Sequence, residues 1–267
     1  MRLAPVCGMI LALFATAKDV MASDDAVKQL APTGTLRVAI AVGPAPSALY
    51  AVKDASGKPR GVAVDLGMAL GQKLGKPVEL VEYLASGAIT NDADKGVWDV
   101  TFMPVDAERA RRVSFGAAYH LLTSTYLVTA NAPVKTIADA DRPEVRIAIV
   151  DGTATSRSAR ATSKTATFIV IGGVDEGLAL LKDAKADAIA LSRESLSGLV
   201  GKLPGARILD GGFLNSFTAV AVPNGKPDAL AYVTAFVEEA KASGLVRKGF
   251  DDIGLKASVV APAGAKP

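Results

Sequence analysis

The chain has 267 residues, a formal net charge of +3 and 50% hydrophobic residues, but only one cysteine and one histidine. This composition excludes disordered and fibrous proteins, and the length allows one large core or two smaller ones. Cys7 and His120 cannot supply the three or four ligands of a usual zinc site, so we expect no metal. The densest basic run, residues 109–112, adjoins acidic residues, so the charge pattern gives no support for nucleic-acid binding.

The first 22 residues have the pattern of a secretory signal peptide. Arg2 supplies the positive segment, and Ala4–Ala17 is an uncharged, mostly apolar run that is shorter than the roughly 20 residues of a membrane span. Cleavage after Ala17 and cleavage after Ala22 both fit, and either cut removes Cys7. A lipid anchor at Cys7 is disfavoured, because Cys7 precedes the apolar run. We therefore predict an exported protein, periplasmic if the source is Gram-negative.

Up to about residue 130, the sequence alternates predicted strands with helical or turn segments. Apolar residues at helical spacing follow Asp65, which stands at a predicted N-cap position, and Gly75 marks the end of that helix. The predicted elements are strand 36–42, a turn at 54–57, the helix between Asp65 and Gly75, strands 78–81 and 98–102, a turn at 106–109, and strand 124–129.

A second alternation follows, and strands separated by helices indicate parallel sheets. The predicted elements are strand 145–150, a loop and helix from Gly152, strand 168–171, helix 174–181, strand 188–191, a helix from Ser192, strand 217–222, and helical stretches at 228–242 and 244–250. The small, proline-containing tail, residues 257–267, is expected to be disordered.

Several short motifs occur in a fixed order between residues 34 and 255. They are GTLRV at 34–38, DASGKPRG at 54–61 leading into VDL at 64–66, DAER at 106–109 with Val113, Phe115 and Tyr119, DGTAT at 151–155, and ADA at 186–188. Each motif is weak alone. In this order and spacing they resemble the bacterial extracellular solute-binding proteins of family three, the amino-acid-type receptors of ABC importers.

The resemblance implies an α/β fold of the periplasmic-binding-protein type, with two lobes that each contain a mixed sheet flanked by helices. Two hinge strands would cross between the lobes at residues 126–130 and 218–222. The first lobe would be discontinuous, residues 34–127 plus 222–256, and the second would span residues 130–218. Ligand pockets favour such interfaces. Closure of the lobes over a solute would be the functional event.

The implied function is an extracytoplasmic receptor without a cofactor. It would capture a small carboxylate, an amino acid or a related organic acid, and deliver it as a monomer to the membrane permease of an ABC importer.

On the first lobe, the resemblance implies that Arg109, Tyr50 and Met103 line the ligand pocket. A guanidinium offers a fixed fork of donors that matches a carboxylate, although the charge pattern alone favours a surface ion pair between Arg109 and a neighbouring acid. Tyr50 aligns with an aromatic residue that stacks on ligands in the family, and its alternative is ordinary packing. The segment before Arg109 is shorter than the family pattern, which puts Met103 at a pocket-lining position.

On the second lobe, the resemblance implies ligand contacts from Thr153, Thr155 and Ser192. The alternative for all three is helix capping, and both roles can coexist. Relatives that bind α-amino acids commonly carry a carboxylate where this chain has Ser192. Either another acid, such as Glu194, turns inward, or the ligand has no amine, because an unpaired buried ammonium is costly.

An enzyme on the same scaffold is the competing class. Cyclohexadienyl dehydratases resemble solute receptors and also bind a carboxylate through an arginine. Such an enzyme needs a positioned acid, for which Glu194 and Asp151 are candidates without a distinguishing signature. No phosphate-binding loop, G-x-G-x-x-G or G-x-S-x-G motif is present. The sequence therefore favours a receptor and leaves the dehydratase as the alternative.

Overall fold

The computed structural model describes residues 22–43, 47–265 and 267. The predicted signal peptide, apart from Ala22, lies outside the described residues. In the part of the chain that the structure describes, no helix is long and apolar enough to cross a membrane.

Strands and helices alternate along the chain, as predicted. In chain order they are α1 (Asp24–Leu30), β1 (Leu36–Ala41), β2 (Val52–Lys53), β3 (Pro59–Arg60), α2 (Val62–Leu74), β4 (Val78–Tyr83), α3 (Ser86–Asn91), β5 (Val100–Pro104), β6 (Val113–Val128), β7 (Arg146–Ile149), α4 (Ala154–Thr162), β8 (Thr167–Val170), α5 (Val174–Lys182), β9 (Ala188–Ser192), α6 (Arg193–Ser197), β10 (Arg207–Ile208), β11 (Leu214–Pro223), α7 (Pro227–Ala242) and α8 (Leu245–Asp252).

One mixed sheet runs through the whole molecule. Its strand order is β4-β1-β5-β11-β6-β9-β7-β8, and β10 pairs with β6 outside this path. As the alternation predicts, β1 is parallel to β4 and β5, and β7 is parallel to β8 and β9. The two central strands, β6 and β11, are antiparallel to each other and to their outer neighbours. They form the hinge, because each carries the sheet from one parallel set towards the other.

Separate hydrophobic cores define two lobes on this sheet. The N-terminal part of β6 contributes Tyr119 and Leu122 to the core of the first lobe, whereas Tyr126 belongs to a core of the second lobe. The crossing of β6 therefore lies between Leu122 and Tyr126, just before the predicted segment 126–130. In β11, Val220 already belongs to the first core, so the crossing of this strand lies mostly ahead of the predicted segment 218–222.

Helix α2 begins earlier than the sequence predicts. Asp65 lies inside the helix, and its backbone amide donates to the carbonyl of Gly61 at 2.9 Å. Gly61 adopts a φ of +149°, and a Cβ at this position would lie only 2.5 Å from the carbonyl oxygen of Tyr50. Glycine thus permits a close approach that packs the start of α2 against the loop carrying Tyr50.

Over residues 257–265, the C-terminal tail is packed and hydrogen-bonded to the rest of the fold, contrary to the sequence-based expectation. The amide of Leu121 donates to the carbonyl of Val259, and the amide of Ala261 donates to the carbonyl of Tyr119, both at 3.0 Å. Ala261 is buried. The expectation failed because backbone pairing with β6, which small side chains do not reveal, holds this segment.

The two lobes repeat one arginine–aspartate pair at the base of their sheets. In the first lobe, Asp99 accepts from the backbone amide and the guanidinium of Arg37, each at 2.9 Å. In the second, Asp187 accepts from the amide of Arg146 at 2.9 Å and from its guanidinium at 3.0 Å. Burial alone would raise the pKa of Asp187, but the hydrogen bonds from Arg146 outweigh it and lower the pKa.

We expect Asp187→Asn to reduce the free energy of unfolding by about 1–3 kcal/mol at neutral pH, because charge-assisted hydrogen bonds are lost. A carboxylate with a lowered pKa stabilises the fold above its unfolded pKa, near 4, and loses this effect as the pH falls through its folded pKa. The difference between wild type and variant, measured by urea denaturation, should therefore shrink on acidification. Asp183→Asn, at an exposed position of the same lobe, is the control. A difference that stays constant with pH would contradict this account.

Candidate functional site

The carboxyl ends of the parallel strands of both lobes meet across a cleft. Gly87, in the short helix after β4, approaches Gly152, which follows β7: a Cβ on Gly87 would lie 2.9 Å from the Gly152 carbonyl oxygen. Asp106, in the loop after β5, contacts Arg157 of helix α4 in the other lobe. Such strand ends are where α/β proteins place their ligands. The lobes are therefore closed on each other at the predicted site.

Arg109 lies on the first-lobe side of this cleft and is only 2% exposed. Its guanidinium donates to the carbonyl oxygen of Pro104 and to the hydroxyl of Ser86, both at 2.7 Å. Burial lowers the pKa of Arg109, and the nearby carboxylate of Asp106 opposes that shift. The ion pair with a neighbouring acid that the charge pattern suggested is present, at 3.5 Å from Asp106, but Arg109 is buried and not at the surface.

Asp106 links this cation to the second lobe. One carboxylate oxygen accepts from the backbone amide of Arg109 at 3.0 Å, and the other lies 3.5 Å from its Nε. That second oxygen also accepts from Arg157, whose Nε lies 3.1 Å from a carboxylate oxygen of Glu108. The sequence analysis did not identify Arg157, because its position in a polar helix carries no signal of a contact between lobes.

The hydroxyl of Tyr50 is buried, and charges of opposite sign act on it. It has no aligned hydrogen-bond partner among the described residues, although the hydroxyl of Thr218 is near enough to act on its pKa. Burial raises the pKa of Tyr50; the negative charge of Glu194 adds to this shift, and the positive charge of Arg109 opposes it. The charges of Arg109 on the first lobe and of Glu194 on the second therefore both act on the pKa of Tyr50.

Thr153 and Thr155 have different roles at the start of α4. The Thr153 hydroxyl accepts from the amide of Ser156 at 3.0 Å and donates to the carbonyl of Val150 at 3.0 Å, which makes it a helix cap. The buried Thr155 hydroxyl lies 2.8 Å from that of Ser124 on the hinge strand β6. The Thr155 hydroxyl thus contacts the hinge strand, whereas the Thr153 hydroxyl is occupied by capping.

Ser192 joins the same group of hydroxyls. It lies directly opposite Ser124 in the pairing of β9 with β6, a position that brings side chains within about 4.5–5.5 Å of each other. Its hydroxyl accepts from the amide of Ser195 at 3.2 Å and so caps α6. Ser192 is therefore a capping residue that lies beside Ser124 of the hinge strand.

Met103 has its side chain in the hydrophobic core of the first lobe and not in the cleft. It is 1% exposed and packs with Ile89 and Trp98, while its sulfur lies 3.9 Å from the Thr90 hydroxyl. We therefore leave Met103 out of the proposed site. The carbonyl group of its neighbour Pro104 and the hydroxyl of Ser86 contact the guanidinium of Arg109 instead. The sequence analysis did not identify Ser86.

A second polar cluster lies where α6 meets the hinge. The side chain of Glu194 is 8% exposed, and its Oε1 lies 3.0 Å from Nε2 of the fully buried His120. His120 Nδ1 lies 3.4 Å from the Thr218 hydroxyl, and Ser258 donates to Glu194 Oε1 at 3.4 Å. Glu194 is thus buried against the hinge, in contact with His120 and Ser258.

Comparison with known proteins agrees with this geometry. The family of bacterial extracellular solute-binding proteins, family 3, matches residues 36–252. The chain belongs to this family. Membership makes it a solute-binding protein of an extracellular family. Among curated protein sequences, none matches the chain.

Solved structures that resemble this family 3 protein are two-lobed binding proteins. An ancestral amino-acid-binding protein, a precursor of cyclohexadienyl dehydratase, is 23% identical, with a TM-score of 0.74 over 85% of this chain and 98% of that one. The solute receptor for L-cysteine of Neisseria gonorrhoeae is 20% identical, with a TM-score of 0.76 over 88% and 99%. A mutant of ArgBP from T. maritima is 21% identical, with a TM-score of 0.73 over 85% and 98%. At these identities the likeness shows the fold alone.

The close approach of Gly87 to Gly152 predicts that a larger residue opposes closure of the lobes. A methyl group at residue 87 forces backbone to move, at a cost of about 1–3 kcal/mol to the closed form. We expect Gly87→Ala to raise the radius of gyration in small-angle X-ray scattering. Gly201→Ala is the control, because a Cβ there meets nothing within 4 Å. An unchanged radius for Gly87→Ala, in a folded protein, would contradict the role of this contact.

Proposed function

We propose that this family 3 protein is an extracytoplasmic receptor that captures a small carboxylate, such as an amino acid or a related organic acid, between its two lobes. Arg109 binds the carboxylate, Tyr50 packs beside it, and Thr155 and Ser192 approach it from the second lobe when the lobes close. The backbone at Thr153 completes the second-lobe side. The receptor then delivers its solute, as a monomer, to the permease of an ABC importer.

The burial of Arg109 is the observation that carries this proposal. A guanidinium has five N–H donors, and in Arg109 two hydrogen bonds, to Pro104 and Ser86, orient its fork at the carboxyl ends of the strands. A buried cation is costly unless an anion compensates it. Asp106 does so only in part, since Arg157 shares its carboxylate. A ligand carboxylate at Arg109 would complete the compensation.

The groups that would contact the ligand lie on opposite lobes, so closure of the lobes would enclose it. A ligand that touches both lobes binds the closed form more tightly than the open form, and this difference in affinity shifts the population towards closure. Export through the predicted N-terminal signal peptide would place the receptor in the periplasm of a Gram-negative cell. There a closed, loaded receptor would be the form that the permease recognises.

Dehydration on the same scaffold is the second candidate, favoured by the buried acid Glu194. A cyclohexadienyl dehydratase needs a positioned acid that protonates the leaving hydroxide, and Glu194 is a buried carboxyl group, 8% exposed, in contact with His120. The likeness to a dehydratase precursor is consistent with either function.

Arg109→Ala is expected to abolish carboxylate binding. Binding is measured as the rise in melting temperature with amino, hydroxy and keto acids. A ligand at about 1,000 times its dissociation constant adds roughly 4 kcal/mol, and each kcal/mol raises the midpoint by about 2–4 °C for a chain of this size. Arg112→Ala, at an exposed position of the same segment, is the control. Unchanged affinity in folded Arg109→Ala would refute the site.

Incubation with a cyclohexadienyl carboxylate separates the receptor from the enzyme. The receptor proposal expects no aromatic product by ultraviolet absorbance, even at high protein concentration. Turnover that disappears in Glu194→Gln would establish the dehydratase instead.

A further inference from the structure

Asp106 uses one of its carboxylate oxygens to hold the turn that carries Arg109. Its Oδ1 accepts from the backbone amides of Glu108 and Arg109, both at 3.0 Å. An aspartate that accepts from amides two and three residues further along the chain stabilises a turn. Oδ1 is therefore committed to the backbone, and Oδ2 is the oxygen that can compensate a cation.

Two guanidinium groups from different lobes lie at Asp106 Oδ2, and the one from the second lobe is hydrogen-bonded to it. Arg157 of α4 donates to Oδ2 through Nη2. The Nε of Arg109 lies 3.5 Å from the same oxygen. This Nε is buried and has no hydrogen-bond partner within the described part of the chain. Buried N–H groups are nearly always paired, so Arg157 occupies an acceptor that Arg109 lacks.

The electrostatics of Arg109 agree with this competition. Burial lowers the pKa of Arg109, Asp106 opposes that shift, and the positive charge of Arg157 adds to it. The two hydrogen bonds of the Arg109 guanidinium run to neutral groups, the carbonyl of Pro104 and the hydroxyl of Ser86. Charges interact strongly in a buried environment. In the closed form, Arg109 therefore needs a further anion.

Arg157 can reach Asp106 only when the lobes are closed. Its Nε also lies 3.1 Å from Oε2 of Glu108, so both acids that it contacts belong to the first lobe. Arg160, one turn further along α4, instead contacts Asp151 and the ring of Phe168, which belong to its own lobe. Separation of the lobes thus removes Arg157 from Oδ2 and leaves that oxygen to the Nε of Arg109.

We propose that Arg157 is a positioning residue for ligand capture: as the lobes close, it takes Asp106 Oδ2 from Arg109 and leaves the Arg109 cation for the ligand carboxylate. In the open form, Arg109 pairs with its own acid. In the closed form, the ligand replaces that acid, so closure and carboxylate binding favour each other. This inference rests on the proposed function, in which Arg109 binds the carboxylate.

The Nε–H signal of Arg109 in a nitrogen-15 NMR spectrum tests the transfer of Asp106 without any ligand. The full exported chain is used, and loss of the signal in Arg109→Lys assigns it. In Arg157→Ala, we expect this Nε–H to gain the hydrogen bond to Asp106, so that its proton signal shifts downfield and exchanges more slowly with water. Arg160→Ala is the matched control and should leave the signal in place.

Two outcomes of that experiment would overturn the proposal. One is an Arg109 signal that Arg157→Ala leaves unchanged. The other is a signal that exchanges faster in this variant, because that is the behaviour of a guanidinium exposed to water by a looser structure.

Carboxylate affinity, measured by calorimetry with amino, hydroxy and keto acids, gives a second test. We expect Arg157→Ala to weaken the acid that binds best by about 10-fold, as for a charge pair between surfaces. Arg157→Lys keeps the charge and should recover part of this loss. If no acid binds the wild-type protein, the proposed function fails, whereas the Arg109 signal still decides whether Asp106 is transferred.

A double-mutant cycle with Asp106→Asn separates the transfer from a general effect of Arg157. The asparagine keeps one oxygen for the backbone amides and removes the shared charge. In this background, the loss of affinity caused by Arg157→Ala should shrink to about 2-fold or less, since residues that act through one partner are not additive. Equal losses in both backgrounds would overturn the transfer of Asp106.

Discussion

The antiparallel pairing of β6 with β11 is the constraint on which the rest of the structure depends. These two strands belong to both lobes and keep the sheet continuous from β4 to β8. Because the parallel strands on either side end at this hinge, their carboxyl ends face each other across it. Every polar group of the proposed site is placed by that arrangement, from Ser86 and Arg109 on one lobe to Thr155 and Ser192 on the other.

Two buried charges near the hinge, Arg109 and Glu194, are only partly compensated by their neighbours. Asp106 is shared between the guanidinium groups of Arg109 and Arg157, and Glu194 faces a histidine that is charged only when protonated. Burial of an ion is tolerated when partners complete its hydrogen bonds. A solute carboxylate at Arg109 would complete the compensation of that cation. The same solute would stabilise the closed form over the open one if it also contacted the second lobe.

The hinge also carries the C-terminal tail. Val259 and Ala261 pair with the backbone of β6, and Ser258 reaches Glu194 on the second lobe. The tail thus contacts both the hinge strand β6 and Glu194 of the second lobe. Its order depends on backbone hydrogen bonds supplied by a distant part of the chain, which explains why composition predicted disorder for it.

Residues near each other in sequence, or in short ordered motifs, were predictable. The alternation of strands and helices, the parallel pairing within each lobe, the capping tendency of Thr153 and Ser192, and the family itself follow from local spacing and chemistry. The full length of β6 was not predictable from the sequence. Its N-terminal half carries small and aromatic residues, and pairing with β11 imposes the strand geometry there. The start of α2 was missed because the approach of Gly61 to Tyr50 is a tertiary contact.

The sequence by itself determined the fold class and the candidate arginine, because helix and strand periodicity and ordered motifs are properties of neighbouring residues. Only the tertiary structure decided that Met103 faces the core, that Arg109 shares Asp106 with Arg157, and that Glu194 is buried beside His120. These outcomes depend on which residues from different lobes become neighbours. Burial then selects the partners that each polar group requires, and no local pattern encodes that choice.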